Sequence, residues 1–594
     1  MRNTSLRKMS SVVFACILCG GAGAAAGAAG AQTARVQPAA PFSAVEGDWS
    51  GTLQVDGTTL RLALHVLRDT KGTLHATLDS PDQGVYGTEA TQIFHDRATV
   101  SFEIAPVGVS YEGKLSADSR YITGIWQQGG RGFALVFHRQ AAGAGTRIPA
   151  NAISAVEGTW QGVVDENYVH HRLQLHISHD DKGGLTASLD SLDQGVSGLP
   201  AAKVTEKAGE LHLEIPVASG AYDGKLNAAR NELSGTWTQN GEQHALNFKR
   251  SNRVLEERRP QNPRKPYPYT EEEVSFANAN AHVTLAGTLT LPKRAGPFPA
   301  AVLISGSGPH DRDETIAGHK PFLVLADYLT RKGFAVLRYD KRGVGKSTGT
   351  DGEATTEDLA SDAEGALAYL RSRKEIGPKQ IGLIGHSEGG MIAPMIAARG
   401  GQVAWMVLLA APARNGEKTL LRQSELIARA GGMTETQIAQ SLDFDRKAYA
   451  LVREEKDRSV LEAKIQELVK GTGLDEAMPA AALAGQIHAM SSPWFRYFLE
   501  YDPLPALKKV KCPVLALGGE KDLQVPAKEN LPALRSALEE GGNRDVTATE
   551  LPGLNHLFQH CNTGSPAEYG AIDETFSPEA LTIIGDWIVK HEGP

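Results

Sequence analysis

Laid over itself at an offset of 156 − 45 = 111 residues, the first half of this chain matches without a gap. Val45-Glu46-Gly47-x-Trp49-x-Gly51 recurs as Val156-Glu157-Gly158-x-Trp160-x-Gly162, and Arg61-Leu62-x-Leu64-His65 as Arg172-Leu173-x-Leu175-His176. Leu78-Asp79-Ser80-x-Asp82-Gln83-Gly84 returns as Leu189-Asp190-Ser191-x-Asp193-Gln194-Gly195, and Gly124-x-Trp126 as Gly235-x-Trp237. A gapless match over roughly a hundred residues marks a duplicated domain. Any fold for this chain must therefore hold one unit twice in tandem, here placed at 41–140 and 152–250.

Within each copy short runs alternate apolar and polar residues, as in Thr59-Leu-Arg-Leu-Ala-Leu-His-Val66, between Gly, Asp and Asn punctuation. That period of two predicts an all-β unit of many short strands, barrel- or sandwich-like. The opening Gly-x-Trp is similar to the start of a lipocalin-type barrel, and an eight-stranded barrel can hold one small ligand. A lipid- or glycan-binding role for the repeats is thus one expectation, from a different class than catalysis. The shared Asp-Ser-x-Asp-Gln-Gly segment reads as a tight turn whose side chains satisfy backbone groups, or else as a ligand or ion site. His170, His171 and His176 lack the partners of a metal site and read as structural or surface residues.

Residues 251–271 are charged and proline-rich without periodicity, a linker or a strap across the next domain. From 272 the pattern changes. A hairpin-like pair (Val274–Ala279 and His282–Leu291) precedes strands predicted at Ala300–Ser305, Phe334–Tyr339, 381–386, Ala404–Leu409, Cys512–Gly518 and Asp545–Leu551, with helical stretches between them. Such alternation predicts a mostly parallel sheet covered by helices on both faces, filling 272–594. About four helical segments interrupt it near 414–508, a helical cap over the strand ends, where α/β sheets bind ligands.

The chemistry centres on Ile381-Gly-Leu-Ile-Gly385-His386-Ser387-Glu388-Gly389-Gly390. An apolar strand ends in G-x-S-x-G and a small-residue helical pattern starts at once, the form of a nucleophile elbow. Side chains at Gly385 and Gly389 would collide with the strand and helix they join. A serine hydroxyl needs a base, and the base a carboxylate to orient it, in the chain order acid then histidine. Asp522, just past one strand, and His556, just past the next, meet that order. Their competitors are Glu520 and Asp502 for the acid and His560 for the base. His386 reads as packing the elbow, and the Glu388 side chain as pocket wall. The oxyanion hole is expected from the Glu388 N–H and the Ser307 N–H in the loop Ser305-Gly306-Ser307-Gly308-Pro309-His310-Asp311-Arg312-Asp313-Glu314. The segment Arg338–Ser347 invites a phosphate-loop reading that fails, because Asp340 stands where G-x-x-x-x-G-K-[ST] needs glycine.

Residues 270–594 resemble a serine hydrolase of the α/β-hydrolase superfamily, most of all the bacterial esterases that share the motifs at 305–314, 340–347, 385–390 and 553–556. Ser492-Pro-Trp-Phe-Arg-Tyr-Phe498 in the cap is also similar to that group. The resemblance implies Ser387, Asp522 and His556 as triad, Ser307 and Glu388 at the oxyanion hole, and no cofactor or metal. Ser305 stands where many members have histidine, which leaves the hydrogen bonding of the hole open. The implied activity is cleavage of small-molecule carboxylic esters through an acyl-enzyme. A serine peptidase or aminopeptidase, and an acyltransferase, share the same machinery. Dehalogenase and epoxide hydrolase chemistry would want Asp at 387.

Charge and targeting signals bound the rest. A net charge of −8 with no basic block argues against a nucleic-acid partner. Arg2, Arg7 and Lys8, then Val12–Leu18, then Ala29-Gly30-Ala31 form a signal peptide over 1–31. Its removal takes three positive charges and no acids, giving −8 − 3 = −11. The expected location is periplasmic or secreted. The apolar run is too short to span a bilayer, and a lipoprotein reading at Cys16 is the weaker alternative. Cys512 and Cys561 remain after cleavage, either paired or as two free thiols. Oligomeric state is open.

Overall fold

The computed structural model describes residues 45–592 except 56–57, 69–72, 81–84, 91, 97, 105–108, 117–118, 129–130, 140–153, 180–183, 192, 194–195, 219, 240–241, 252–258, 351, 471 and 473–479. The expected signal peptide at 1–31 and the first-copy stretch 81–84 thus lie outside the described residues. The chain divides into two compact units, one holding most of the repeats and one holding the chain from Glu257 onward.

Each repeat is a nine-stranded antiparallel sheet, running from Gly47–Val55 to Arg131–Arg139 in the first copy and from Gly158–Glu166 to Glu242–Arg250 in the second. Strands follow one another up and down, and the first also pairs with the last, so the fourth and fifth become the two edges. The sheet curls far enough to bring its third strand against its fifth. It is a half-barrel rather than a sandwich. The period of two is visible in Val109–Leu115, whose residues alternate buried and exposed. The Gly-x-Trp motif is explained by its partners. The Trp49 indole is fully buried, donates to the Val45 carbonyl at 3.0 Å, and is covered by the Arg139 guanidinium at 4.2 Å. Trp160, Val156 and Arg250 repeat this at 2.7 and 4.1 Å. An arginine on the last strand thus covers a tryptophan on the first, where the two ends of the meander pair. In the second copy, Asp193 accepts from the Arg172 backbone N–H and guanidinium, and Asp190 meets His176 at 2.9 Å. The acids of the second copy's segment are thus bound within their own sheet.

The second unit contains an eight-stranded sheet: β1 Tyr269–Asn278, β2 Val283–Pro292, β3 Phe298–Ile304, β4 Ala335–Tyr339, β5 Ile376–His386, β6 Met406–Leu409, β7 Val514–Gly519 and β8 Val546–Leu551. Its order is β1-β2-β4-β3-β5-β6-β7-β8. The hairpin β1–β2 and the β2–β4 pair are antiparallel, and the rest run parallel. Strand β3 is buried on both sides and shows why. Ala300, Val302 and Ile304 pack with helices α2 (Thr356–Ser372), α3 (Gly389–Ala398) and α10 (Ala527–Glu540). Ala301 and Leu303 pack on the other face with α1 (Pro321–Arg331) and α11 (Pro578–Glu592). Parallel strands covered on both faces read as continuous apolar runs.

Between β6 and β7 lie α4 (Gly416–Ala430), α5 (Glu435–Glu454), α6 (Arg458–Val469), α7 (Ala480–Met490), α8 (Pro493–Glu500) and the single turn α9 (Leu504–Leu507). The described residues of the cap thus hold six helices where about four were expected, and one of them starts directly after α7, capped by Ser492. Its own core joins Leu420, Phe444, Tyr449, Leu461 and Phe495 to Met391 of α3. The proline-rich stretch is a strap where it is described. The Gln261 side chain accepts from the Thr575 and Phe576 N–H groups and donates to the Phe576 carbonyl at 2.7 Å.

Candidate active site

Strand β5 ends at His386, and the chain turns through Ser387 into α3. Ser387 has φ +52°, the left-handed region that a non-glycine residue adopts only under local constraint. The constraint is packing: a Cβ on Gly385 would lie 2.1 Å from the Gly389 carbonyl oxygen, and one on Gly389 would lie 2.0 Å from that of Ile304. No side chain fits at either position. The Ser387 N–H donates to the Leu409 carbonyl at 2.8 Å, which ties the turn to β6.

Because β5, β7 and β8 are parallel, their C-terminal ends share one edge of the sheet. Asp522 follows β7 and His556 follows β8, and the two meet there: His556 Nδ1 lies 2.8 Å from Asp522 Oδ2, with both side chains buried. A carboxylate only accepts, so Nδ1 carries the proton and Nε2 is left as an acceptor. Asp522 is itself fixed, since its Oδ1 accepts from the Gln524 and Val525 N–H groups at 2.8 Å each. The rivals lie elsewhere. Glu520 accepts from the Gly553 N–H, Asp502 from the Leu504 N–H, and His560 pairs with Glu574 at 2.9 Å. Ser387, His556 and Ser307 all line one cavity of about 500 Å³, whose walls include Leu359, Leu420, Trp494, Phe495, Phe498 and Val525.

The loop after β3 is held by contacts that reading the sequence alone did not foresee. Glu314, buried at φ +53°, accepts from the Gly306 N–H at 2.6 Å and from His386 Nδ1 at 3.0 Å. His386 Nε2 donates to the His556 carbonyl at 3.0 Å. With acceptors at both nitrogens, the ring is an imidazolium paired with a carboxylate. Burial works against that charge, but the charge and hydrogen bond of Glu314 outweigh it and leave the His386 pKa raised. Burial likewise opposes ionisation of Glu314, and His386 holds its pKa below the usual carboxylate value. His386 therefore joins the elbow, the loop and the His556 segment, which is more than packing. His310 donates to the Ser307 carbonyl at 2.7 Å, and burial lowers its pKa to about 4, so it is neutral near pH 7.

One expectation needs correcting. The Glu388 side chain is fully buried and does not line the cavity. Its Oε1 accepts from Thr356 Oγ1 and from Trp494 Nε1, both at 2.7 Å, and its Oε2 lies 3.5 Å from Lys341 Nζ. The sequence offered no clue, because these partners stand 32, 106 and 47 residues away. The failed phosphate-loop segment is structural. Asp340 takes a two-point contact from Arg312, and Arg342 pairs with Asp362 at 2.7 Å. Cys512 and Cys561 are free thiols, not a disulfide. Among the described residues no His, Cys, Asp and Glu grouping of metal-site size occurs, and no helix is long and apolar enough to cross a membrane.

The strand order, the serine on a strained strand-to-helix turn and an acid–histidine contact at the same sheet edge define an α/β hydrolase. Comparison with known proteins narrows this. The family model described as serine aminopeptidase, S33, matches residues 320–560. Esterase EstD of Thermotoga maritima is 30% identical over 376 residues, covering 62% of this chain and 79% of that protein. The uncharacterized protein YfhR of Escherichia coli (strain K12) is 30% identical over 135 residues, covering 23% of this chain and 44% of its own length. Among solved structures, the Pyrococcus furiosus esterase Pf2001 aligns over 57% of this chain and all of its own, with 14% identity and a TM-score of 0.35. The chain belongs to the hydrolase family of which EstD is a member.

Proposed function

We propose that this protein is an exported serine esterase that acts on small carboxylic esters through an acyl-enzyme. Ser387 Oγ attacks the ester carbonyl while His556 Nε2 takes its proton. Asp522 holds the imidazole by its Nδ1–H and stabilises the imidazolium. The carbonyl oxygen, now an oxyanion, accepts from the Ser307 and Glu388 N–H groups. Among the described residues neither donor has another acceptor. As the tetrahedral intermediate collapses, His556 returns the proton to the departing alkoxide, which leaves as the alcohol. Water then repeats the cycle on the acyl-serine, with His556 as base and Ser387 as leaving group.

The observation that carries this reading is the buried 2.8 Å contact between His556 and Asp522, at the sheet edge where the Ser387 turn opens into the cavity. The ester reading is favoured over an aminopeptidase by the carboxylates around that cavity. An aminopeptidase must pair the free ammonium of its substrate with an acid, since an unpaired buried charge is costly. Glu314 is the one acid among the described lining residues, and it is already bound to His386 and the Gly306 N–H. The apolar cap side of the cavity suits an aliphatic or aryl acyl group instead.

The test is a graded panel of p-nitrophenyl esters and aminoacyl p-nitroanilides, run on wild type and Ser387→Ala. Esters should be turned over far faster than anilides, and the variant should lose turnover of both. Retained ester turnover in Ser387→Ala, or faster cleavage of the anilides, would dismiss the proposal.

A further inference from the structure

The loop that carries Ser307 is gripped by a buried lysine at the cavity wall, and the grip leads to the cap. We propose that Lys341 is a positioning residue of the oxyanion hole, and that the cap acts on the hole through Glu388 and Lys341. This rests on the reading of the Ser307 N–H as an oxyanion donor.

Lys341 is only 4% exposed, and its ammonium donates to the Gly306 carbonyl. That carbonyl and the Ser307 N–H are the two ends of one peptide unit. In a planar trans peptide they point in opposite directions. A cation fixed on the carbonyl therefore turns the N–H to the other side. This peptide stands beside the nucleophile, because a Cβ on Gly306 would come 3.2 Å from Ser387 Cβ. The flanking peptides are pinned as well, by Glu314 on the Gly306 N–H at 2.6 Å and by His310 on the Ser307 carbonyl at 2.7 Å. The ammonium has a second effect: drawing charge towards the carbonyl oxygen polarises the amide and strengthens its N–H as a donor.

Lys341 is in turn placed by Glu388, whose own N–H is the other proposed donor. The Glu388 carboxylate is held at Oε1 by both Thr356 of α2 and Trp494 of α8 in the cap, with Oε2 left towards Lys341. One residue thus connects both donors to the cap. A buried ion pair is a weak source of stability, so orientation is the better account of why Lys341 and Glu388 are buried together.

The test uses Lys341→Met, which keeps the chain length and removes the charge. Expected is a fall in kcat of about 10²–10³, the usual effect of losing one oxyanion donor, with KM little changed. Inhibition by an aryl trifluoromethyl ketone, which becomes an oxyanion on addition to Ser387, should weaken by a similar factor. Binding of the matching methyl ketone, which stays a neutral carbonyl, should not change. Trp494→Phe keeps the ring and removes the N–H, and should lower kcat and trifluoromethyl-ketone affinity together, by about tenfold, the size of one hydrogen bond. If Lys341→Met does not fold, Trp494→Phe carries the same comparison. Lower kcat with unchanged trifluoromethyl-ketone inhibition, or a rise in KM alone, would overturn the role of Lys341. Failure of the ketone to inhibit wild type would remove the oxyanion-hole reading itself, and the role of Lys341 with it.

Discussion

Replacing Asp522 by asparagine changes one atom and tests how the imidazole is set. The structure dictates which way the amide would face. Oδ1 of Asp522 accepts two backbone N–H groups at 2.8 Å, and Oδ2 faces His556 Nδ1 at 2.8 Å. Turning the NH₂ towards Gln524 and Val525 would place donors against donors and leave buried groups unsatisfied, at about 1–3 kcal/mol each. The amide oxygen therefore keeps the Oδ1 place and the NH₂ faces Nδ1. His556 must then accept at Nδ1, which moves its proton to Nε2, the atom that has to receive the proton of Ser387. In the worked case of chymotrypsin-type proteases this wrong tautomer lowers kcat about 10⁴-fold, or about 5.4 kcal/mol at 1.36 kcal/mol per factor of ten. Asp522→Asn should lose kcat for a p-nitrophenyl ester by that order, with the melting temperature close to wild type because size and most hydrogen bonds are retained. A folded Asp522→Asn keeping more than a tenth of wild-type kcat would refute this account of the acid.

Three further outcomes follow from the same contacts. Gly389→Ala should destabilise the second unit by about 1–3 kcal/mol or more and abolish turnover, because its Cβ would lie 2.0 Å from the Ile304 carbonyl oxygen; a folded variant with unchanged kcat would contradict the elbow packing. In the first repeat, the hydrogen bond to Asp79, opposed by burial and aided by Asp48, raises the pKa of His65 to about 9. A raised pKa stabilises the fold fully below the unfolded value of about 6.5, so the repeat's melting transition should fall as pH rises from there through 9, and His65→Asn should flatten that fall. Burial pushes the Cys512 thiol up to about 11 and the Cys561 thiol up to about 12, so iodoacetamide at pH 8 should label both after denaturation and neither beforehand. An intact mass 2 Da below the dithiol would show a disulfide instead.

What the sequence disclosed, and what it hid, follows the range of the interactions. The elbow could be read because its strand, serine, glycines and helix are consecutive. The meeting of Asp522 and His556 could be read because each follows a strand in a set order. The groups that hold the loop after β3 could not. Glu314 meets His386 across 72 residues, and Trp494 meets Glu388 across 106. No local pattern marks a carboxylate as bound rather than lining a pocket. The repeats show the same limit. Alternation marks strands, but whether they close, stack or curl depends on the pairing of first with last strand, where Arg139 meets Trp49 from opposite ends of the copy. In the cap, Ala480–Met490 and Pro493–Glu500 are separated by Ser492, whose side chain accepts from the Phe495 N–H, a short-range detail that a count of about four helical segments does not resolve.

The central claim is that Ser387 becomes acylated. Its most direct test is peptide mapping by mass spectrometry after reaction with a fluorophosphonate. The adduct should sit on the peptide containing Ser387, appear in proportion to the loss of ester turnover, and be absent from Ser387→Ala. An adduct on another residue, or none while turnover is lost, would contradict the account.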